Sequence, residues 1–582
     1  VSTVFENGLG SRFVQFAAQV HDEEGARRLR ARSIQFDPET QRVDVRMARV
    51  YRADGRVLEA TETYEEQLGE PWYRVYYDTR ALVVVFPDLE PGDSVELRYR
   101  VDDVAQRNVF ADYFGDLHLF AGSEPRQQVE YVLITPASRK FYVNTPKLDK
   151  LEQREETQGE KRIQYFTAKN VAAVISEPHM PGVTETVPYL HVSTYENWEK
   201  VGRWWWGLVR DQLYADDELK KIVATLKAGA KDERQIAERV YGWVVQNTRY
   251  VALEFGIHGF LPYRVPDVVR RGFGDCKDKA SLIYTMLREA GVDARLVLVR
   301  TDRNGDIGSE PASLSVFDHA IAYVPKLDLY LDGTAEHSGT RELPAGDQGV
   351  MVLVVGPDSV ELKKTPVLPA ESNLRQRKVE IALEEDGSGT LASEEHIAGS
   401  DAARYRSNFE AVGTQRERLE RELSGAMPGL SLEQHAFTGL DNVESEVTVK
   451  YRVKAPQLAR PEGNELRLGS SSLNDLVRSL AGSPSRRYPL DLGVPRAYRE
   501  ERSIKGPKGF VVKKPPEGGE VKSRFGSLSV KTEQSGTGVI SKTAFELAVK
   551  RVEPKDYDEF RKFVERADGL LRQRIAFSKE SQ

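Results

Sequence analysis

The spacing of apolar residues changes twice along this chain, and these changes constrain its fold more than any other feature. Up to about residue 185, apolar and polar residues alternate, as in "VELRYRV", where Val95 and the apolar residues at the next alternate positions share one face. Such alternation is typical of β-strands with one buried face. Many such runs, separated by turn residues and with few helical stretches, predict an antiparallel β-sandwich over residues 1–185.

The period becomes helical from Trp198, where apolar residues recur at intervals of three and four. Two amphipathic runs follow, "DDELKKIVATLKAG" and "DERQIAERVYGWVVQNT", and then the segment "CKDKASLIYTMLREAG". Three short apolar runs come next, "ARLVLVR", "HAIAYV" and "LDLYLDG", each bounded by polar turns. Helices followed by strands predict an α+β domain over residues 186–355.

Alternation returns in "KVEIALEEDGSG" and "EVTVKYRV", and the chain ends in an amphipathic helix that includes Phe560 and Phe563. These patterns predict a β-rich domain with helical insertions over residues 356–582. A length of 582 residues is several times that of a single hydrophobic core, which agrees with three domains. The predicted fold class is therefore a multidomain α+β protein.

The charge balance argues against a nucleic-acid partner, because 83 basic and 90 acidic residues give a net charge of -7 without long blocks of one sign. Apolar runs such as "ALVVVF" and "VMVLVV" fall far short of the roughly 18 residues of a membrane helix. We therefore expect no transmembrane segment. The chain opens at Val1 without an initiator Met or an apolar leader, as expected of a processed chain or a piece of a longer one.

Cys276 is the only cysteine of the chain, which excludes intramolecular disulfides and a cysteine-built zinc site. It follows the turn Phe273-Gly274-Asp275 and begins a predicted helix. At a helix start, unpaired backbone N–H groups and the positive end of the helix dipole favour a thiolate. A nucleophilic thiolate also needs an imidazole that exchanges protons with it and a group that orients the imidazole.

The same predicted domain contains two later residues that could serve as this imidazole and as the group that orients it. "FDHAIAYV" places His319 at the start of one strand, and "LYLDGT" places Asp332 at the end of the next, so adjacent strands would bring the two together. Each of the three residues alone has an ordinary structural interpretation: a small buried thiol, a strand histidine and a turn aspartate. Their order along the chain favours a catalytic triad.

The sequence around these residues resembles a known family. "GDCKDKASLIYTMLREAGVDARLVLV", followed by "DHAIAYV" and "LDGT", resembles the transglutaminase-like core of papain-type cysteine enzymes. The resemblance implies Cys276 as nucleophile, His319 as general base and acid, and Asp332 as the group that orients His319. It also implies the backbone N–H of Cys276 as one donor of an oxyanion hole.

The flanking regions extend the resemblance over almost the whole chain. "ENGLGSRFVQFAAQVHDEEGARRL" and "YYDTRALVVVFPDLEPGDSVELRYRV" resemble the β-rich domain of unknown function that precedes such cores in many bacterial proteins. "PKDYDEFRKFVERAD" resembles the end of the same architecture. The resemblance implies a bacterial protein that is exported to the periplasm or the cell exterior.

Two functional hypotheses follow. The first is an enzyme that performs acyl transfer or hydrolysis on protein or peptide amides through a thioester on Cys276, with either an amine or water as acceptor. The alternative is a catalytically silent scaffold that retains the core to bind other proteins. No motif calls for a cofactor or a metal ion, and the sequence leaves the oligomeric state open.

Three smaller features receive structural interpretations. "TDRNGD" has oxygen-bearing side chains at alternate positions from Asp302 to Asp306, as in a calcium loop, but lacks the later glutamate and is expected to be a turn. His258 is expected to bond to the backbone rather than to line a cleft. Trp204 and Trp206 are expected to pack against a neighbouring domain.

Overall fold

The computed structural model describes residues 1–148, 150–512 and 515–580, and it confirms the multidomain α+β fold class. Its N-terminal region is almost entirely β-structure. The helices there are α1 (Glu23–Leu29) and α2 (Val183–Thr186). The strands are β1 (Ser2–Val4), β2 (Gly10–Gln19), β3 (Ala31–Phe36), β4 (Gln41–Tyr51), β5 (Val57–Glu59), β6 (Glu62–Glu70), β7 (Val75–Val85), β8 (Ser94–Asp103), β9 (Gly115–Leu119), β10 (Arg126–Pro136), β11 (Tyr142–Asn144), β12 (Glu152–Gln158), β13 (Lys161–Val171) and β14 (Tyr189–Ser193).

The N-terminal strands form a large sheet that is covered by two smaller ones. The large sheet has the order β12-β13-β10-β1-β2-β8-β4-β5, and its two halves pack on different partners. One half buries Val50 and Val95 against Phe36 and Val84 of the sheet that contains β3 and β7. The other half packs on the sheet β11-β14-β9, which contributes residues such as Leu190. Two packed layers of strands are the sandwich arrangement that alternation predicts.

The central region contains most of the long helices of the chain. The helices are α3 (Trp198–Val209), α4 (Asp217–Lys227), α5 (Glu233–Asn247), α6 (Val265–Arg271) and α7 (Cys276–Glu289). The strands are β15 (Arg249–Tyr250), β16 (Ala252–Glu254), β17 (Phe273–Gly274), β18 (Arg295–Val299), β19 (His319–Val324), β20 (Leu329–Leu331), β21 (Met351–Val355) and β22 (Val360–Lys364).

The central helices pack on one face of an antiparallel sheet with the order β20-β19-β18-β21-β22. Helix α7 lies in the middle of this layer, because its apolar residues contact both the sheet and the helices around it. In the sheet, Val324 pairs with Leu329 and Ala322 with Leu331. This antiparallel register brings the start of β19 and the end of β20 to the same edge, which is where His319 and Asp332 lie.

The C-terminal region is a second β-rich unit with helical insertions. Its helices are α8 (Ser400–Phe409), α9 (Gln415–Ser424), α10 (Leu476–Leu480) and α11 (Tyr557–Leu571). Its strands are β23 (Leu374–Leu383), β24 (Gly389–Ile397), β25 (Ser431–Thr438), β26 (Val447–Ala455), β27 (Arg460–Glu462), β28 (Glu465–Gly469), β29 (Leu490–Asp491), β30 (Arg496–Lys505), β31 (Phe510–Val511), β32 (Gly519–Ser523), β33 (Gly526–Ser535), β34 (Gly538–Leu547), β35 (Arg551–Val552) and β36 (Arg574–Lys579). The main sheet has the order β25-β26-β24-β23-β30-β34-β33-β32, and α11 buries Phe560 and Phe563 in an apolar cluster with residues of β33 and β34.

Backbone and side-chain bonds join the three regions. Strand β16 pairs in parallel with β7, with Ala252 opposite Val75, so the central region extends an N-terminal sheet. On the other side, the guanidinium of Arg406 donates to the carbonyl of His337 over 2.6 Å. The flanking regions therefore contact the central region directly.

The strand pairing bears on where the domains meet. Strand β14 ends at Ser193 and pairs with β9, whereas β22 ends at Lys364 and completes the central sheet. The division into residues 1–185, 186–355 and 356–582 stays a prediction. We propose that both boundaries lie about ten residues further along the chain, near 194 and 366.

The smaller motifs take structural positions. The Asp302 and Asp306 carboxylates bond to Lys550 and Lys364, and the first of them opens a 3₁₀ turn. Trp204 contacts Phe110 of the N-terminal region with ring centroids 5.9 Å apart. In the described parts of the chain, no helix is long and apolar enough to cross a membrane.

A buried histidine makes the stability of the N-terminal region sensitive to acid. His191 on β14 is fully buried, and neither ring nitrogen has a hydrogen-bond partner among the described residues. Burial, and then the positive charge of nearby Arg300, lower the pKa of His191 from 6.5 to about 4. Between these two values the unfolded chain binds a proton that the folded chain does not, so stability falls as the pH falls.

We predict that the protein loses about 3 kcal/mol of unfolding free energy through His191 as the pH drops from 6.5 to 4, at about 1.4 kcal/mol per tenfold change in proton affinity. A His191→Gln variant should lose less stability over this range, because it has no imidazole to protonate. Urea unfolding at several pH values measures the difference. The same substitution at exposed His21 is the control, and equal acid sensitivity of wild type and His191→Gln would contradict the prediction.

Candidate functional site

Helix α7 begins at Cys276, and a reciprocal capping box defines this start. The Asp275 carboxylate accepts from the backbone N–H of Asp278 over 3.1 Å, and the Asp278 carboxylate accepts from the N–H of Asp275 over 3.2 Å. The half-buried thiol of Cys276 therefore belongs to the first residue of the helix, at the end where backbone N–H groups lack intrahelical acceptors. This is the environment that the Gly-Asp-Cys sequence predicts.

Two glycines permit the close approach of the segments around the helix start. A Cβ atom on Gly274 would lie 2.6 Å from the Cβ of Asp278, inside the capping box. A Cβ atom on Gly333 would lie 2.9 Å from the Cβ of Lys279, where the turn after β20 contacts α7. Larger residues at either position would push the helix start away from its partners.

The side chains that follow Cys276 are buried rather than directed to solvent. Lys277 donates to the Asp275 carboxylate, and Lys279, which is fully buried, donates to the carbonyl of Thr248 over 3.0 Å. The ammonium of Lys279 also lies 3.4 Å from the Glu336 carboxylate. These ion pairs fix the first turn of α7 within the protein.

His319 and Asp332 lie side by side at the edge of the central sheet. The Nε2 atom of His319 is 3.3 Å from Oδ1 of Asp332, and both side chains are largely buried, with exposed fractions of 14% and 5%. Oδ1 of Asp332 also accepts 2.8 Å hydrogen bonds from the backbone N–H and the hydroxyl of Thr334. The Tyr241 hydroxyl donates to the carbonyl of Asp332 over 3.0 Å, which holds the backbone of this residue against α5.

The electrostatics of the pair favour a charged imidazole and a carboxylate. Burial by itself lowers the pKa of His319, but the negative charge of Asp332 and hydrogen bonds to Asp332 and Cys276 outweigh it and raise this pKa well above its usual range. For Asp332, burial acts to raise the pKa, whereas His319 and the donors of Thr334 lower it below its ordinary value. His319 is thus held between the carboxylate of Asp332 and the thiol of Cys276.

A third acidic residue, Asp347, lies beside this pair. Donor atoms of His319, Asp332 and Asp347 are all within 4.8 Å of one another, close enough to hold one cation. Asp347 is 3% exposed, and its Oδ2 atom has no hydrogen-bond partner in the part of the chain that the structure describes. Burial, and then the charge of Asp332, raise the pKa of Asp347 to about 8.

Tyr250 belongs to a strand that pairs with the turn before Cys276. Its strand β15 pairs in parallel with β17, and Tyr250 lies opposite Gly274, two residues before Cys276. Burial, and then the negative charge of Cys276, raise the pKa of Tyr250. Within the described residues, the hydroxyl of Tyr250 makes no hydrogen bond, and it is close enough to Cys276 for the charge of the sulfur to act on it.

The structure brings together the three residues that the sequence singles out, Cys276, His319 and Asp332, and it leaves His258 outside the cluster. The ring of His258 bonds to the carbonyl of Leu261 and stacks on Tyr263, as expected of a structural histidine. Asp347 and Tyr250 are absent from the sequence-based set. "LPAGDQG" has the composition of an ordinary turn, and "NTRYVAL" that of a strand, so neither gives a local signal.

Three segments of the chain match models of known protein families. Residues 220–326 match the model of the transglutaminase-like superfamily, a range that contains Cys276 and His319 and ends before Asp332. Residues 6–175 match DUF3857 and residues 471–577 match DUF3858, which are both domains of unknown function. The chain is thus a multidomain protein built around a cysteine-containing α+β core. Its core belongs to the transglutaminase-like superfamily and is flanked by DUF3857 and DUF3858, as the resemblance of the sequence implied.

The crystal structure of a "putative protease" from Parabacteroides distasonis ATCC 8503 has the same overall fold. The alignment covers 99% of this chain and 97% of that one, with a TM-score of 0.69 and 14% sequence identity. An alignment with a "putative cysteine protease" from Cytophaga hutchinsonii covers 38% of this chain and 78% of that one, with 15% sequence identity. Its TM-score is 0.17, so it does not bear on the fold of this chain. A search of curated proteins gave no significant match.

We predict that Cys276 reacts rapidly with iodoacetamide at pH 6, because a protonated His319 next to the thiol favours the thiolate. A His319→Ala variant should label at least about tenfold more slowly at this pH. Mass spectrometry gives an unambiguous readout, since the chain has one cysteine. Replacing half-exposed His396 by Ala is the control, and equally slow labelling of all three proteins would show that no thiolate–imidazole pair forms.

Proposed function

We propose that the protein is a cysteine peptidase or amidase that cleaves peptide amides through Cys276, His319 and Asp332. The observation that carries this proposal is the position of His319, whose imidazole lies between the Asp332 carboxylate and the Cys276 thiol. In this order the carboxylate orients the ring and stabilises its charged form. The thiol lies at a helix start, where backbone N–H groups face outward.

The first half of the reaction forms a thioester. The thiolate of Cys276 attacks the amide carbonyl carbon, a bond forms between sulfur and carbon, and the carbonyl oxygen takes the negative charge. When the C–N bond breaks, the imidazolium of His319 gives its proton to the departing amine. The acyl group then remains on Cys276, and His319 is neutral.

The second half releases the acyl group. Neutral His319 removes a proton from an incoming water molecule, whose oxygen attacks the thioester carbon, and the bond to sulfur breaks. The products are a carboxylic acid, the thiolate of Cys276 and the imidazolium of His319. A primary amine in place of water would give a new amide, which is the transglutaminase outcome.

Two features support a polypeptide substrate and hydrolysis. The chain of similar overall fold from Parabacteroides distasonis is described as a "putative protease". The turn between β6 and β7 exposes Trp72 and Tyr73, 74% and 64% accessible, and the carbonyl of the next residue, Arg74, accepts from Ala252. The next residue back, Val251, donates its backbone N–H to the carbonyl of Gly274 in the turn before Cys276. Backbone hydrogen bonds thus connect the turn that carries Trp72 and Tyr73 with the turn before Cys276. The two exposed aromatic rings could contact apolar side chains of a substrate.

We infer that the hydroxyl of Tyr250 assists in stabilising the oxyanion. The backbone N–H of Cys276 supplies one donor, and a second donor is expected on the opposite side of the carbonyl oxygen. The pairing of β15 with β17 places Tyr250 opposite Gly274, two residues before Cys276, and within the described residues its hydroxyl makes no hydrogen bond. A phenol is a neutral donor, so it stabilises the developing charge without prior ionisation.

We predict that Cys276→Ala abolishes cleavage of unfolded casein while its thermal unfolding midpoint stays within about 2 °C of the wild type, because one small residue replaces another. New amino termini, measured with an amine-reactive dye, report hydrolysis. Incorporation of a fluorescent primary amine into casein reports transfer. The His396→Ala variant serves as the active control.

The outcomes separate the hypotheses. New amino termini that depend on Cys276 support the peptidase, and amine incorporation that depends on Cys276 identifies a transglutaminase. Cleavage that survives Cys276→Ala contradicts a cysteine mechanism. Absence of both activities in wild-type protein that labels rapidly at pH 6 would favour the scaffold hypothesis.

We predict that Tyr250→Phe lowers kcat by roughly 10²-fold and leaves KM nearly unchanged, because the lost donor acts on the transition state. The rate of iodoacetamide labelling should not change, since alkylation forms no oxyanion. Tyr284→Phe is the matched control, because Tyr284 lies on α7 and its ring packs on Trp206. An unchanged kcat in Tyr250→Phe would exclude the assigned role.

A further inference from the structure

The position of Asp347 poses a problem that the triad does not explain. This carboxyl group is 3% exposed and lies within 4.8 Å of both His319 and Asp332, measured between possible ligand atoms. Its Oδ2 atom is buried without a hydrogen-bond donor in the described part of the chain. A buried carboxylate without donors is costly, and a second carboxylate next to it increases the cost.

The charged groups around Asp347 leave it without compensation. Asp332 and Asp302 are negative, and the charge of His319 is shared with Asp332, whose Oδ1 is 3.3 Å from the ring. Lys550, which contacts the same turn, directs its ammonium to the Asp302 carboxylate and to the carbonyls of Ala345 and Gln348 instead. The arrangement becomes favourable if the two neighbouring carboxyls share one proton.

We propose that Asp347 is a positioning residue of the triad, whose carboxyl group carries a proton and donates a hydrogen bond to Asp332. The role rests on the proposed function, because Asp347 acts on the catalytic residues only through Asp332. The protonated carboxyl restrains Asp332 in addition to the donors of Thr334, and Asp332 in turn orients His319. The raised pKa of Asp347, about 8, agrees with a neutral group at physiological pH.

The turn that carries Asp347 is built to hold it in place. Residues Ala345–Asp347 form a 3₁₀ turn, and the hydroxyl of Thr365 donates to the carbonyl of Asp347. The ammonium of Lys550 donates to the carbonyls of Ala345 and Gln348 over 3.2 and 2.6 Å. Lys550 follows strand β34, so the C-terminal region fixes the turn from outside the central sheet.

Two substitutions test the hydrogen bond. Asp347→Asn keeps the shape and a donor, whereas Asp347→Ala removes the donor. We expect iodoacetamide labelling of Cys276 at pH 6 to stay within about threefold of the wild type in Asp347→Asn and to slow at least about tenfold in Asp347→Ala. Asp306→Asn is the control, since it removes a carboxylate of the central region that pairs with Lys364 rather than with Lys550. Thermal unfolding confirms that each variant is folded.

Infrared spectroscopy tests the proton directly. The difference spectrum of wild type minus Asp347→Asn at pH 6 should contain the C=O stretching band of a protonated carboxyl group. In the wild type this band should disappear as the pH rises through about 8. The Asp306→Asn difference spectrum should lack it.

Three results would overturn the proposal: no protonated-carboxyl band, labelling of Asp347→Asn as slow as that of Asp347→Ala, or a metal site in place of the proton. In the last case, equimolar Zn²⁺ would raise the unfolding temperature of the wild type but not of Asp347→Asn. None of these readouts requires turnover. A protein with the expected band and labelling rates that cleaves no amide would overturn the proposed function and leave the role of Asp347 intact.

Discussion

Burial of the first turn of α7 is the constraint on which the rest of the site depends. Asp275, Lys277, Asp278 and Lys279 have residue exposures of 4% or less, although each is ionisable. Buried charges are tolerated only when they are paired, and removal of one partner typically costs about 3–5 kcal/mol. The partners come from separate segments, since Arg271 pairs with Asp278 and Glu336 with Lys279. Pairing these charges therefore also assembles the walls around Cys276.

The sequence predicts much of this arrangement because its signals are local. A Gly-Asp-Cys turn before an amphipathic run marks the start of α7, and strand alternation places His319 and Asp332 at neighbouring strand ends. The requirement for glycine at 333 is a different case. "LDGT" looks like an ordinary turn, and only the approach of Lys279 on α7 explains why a side chain is excluded there.

Local sequence signals could not identify Asp347 and Tyr250, because their proposed roles depend on the packing of segments that are far apart in the chain. Tyr250 is placed opposite Gly274 by the pairing of two-residue strands, which leave almost no periodic signal. Asp347 reaches Asp332 through a turn held by Thr365 and Lys550, and neither partner is near it in sequence. The proposed shift of the domain boundaries has a similar reason. Strands β14 and β22 are placed in the N-terminal and central sheets by their pairing partners, which composition does not reveal.

The bonds from Lys550 to the Asp347 turn relate the site to the order in which the chain is made. A ribosome synthesises Cys276, His319 and Asp332 well before it reaches Lys550. The nascent protein therefore has its thiol and imidazole long before the turn beside them is secured. If the site cleaves peptides, this order leaves it incomplete until the segment after β34, which carries Lys550, has been made and has folded onto the central region.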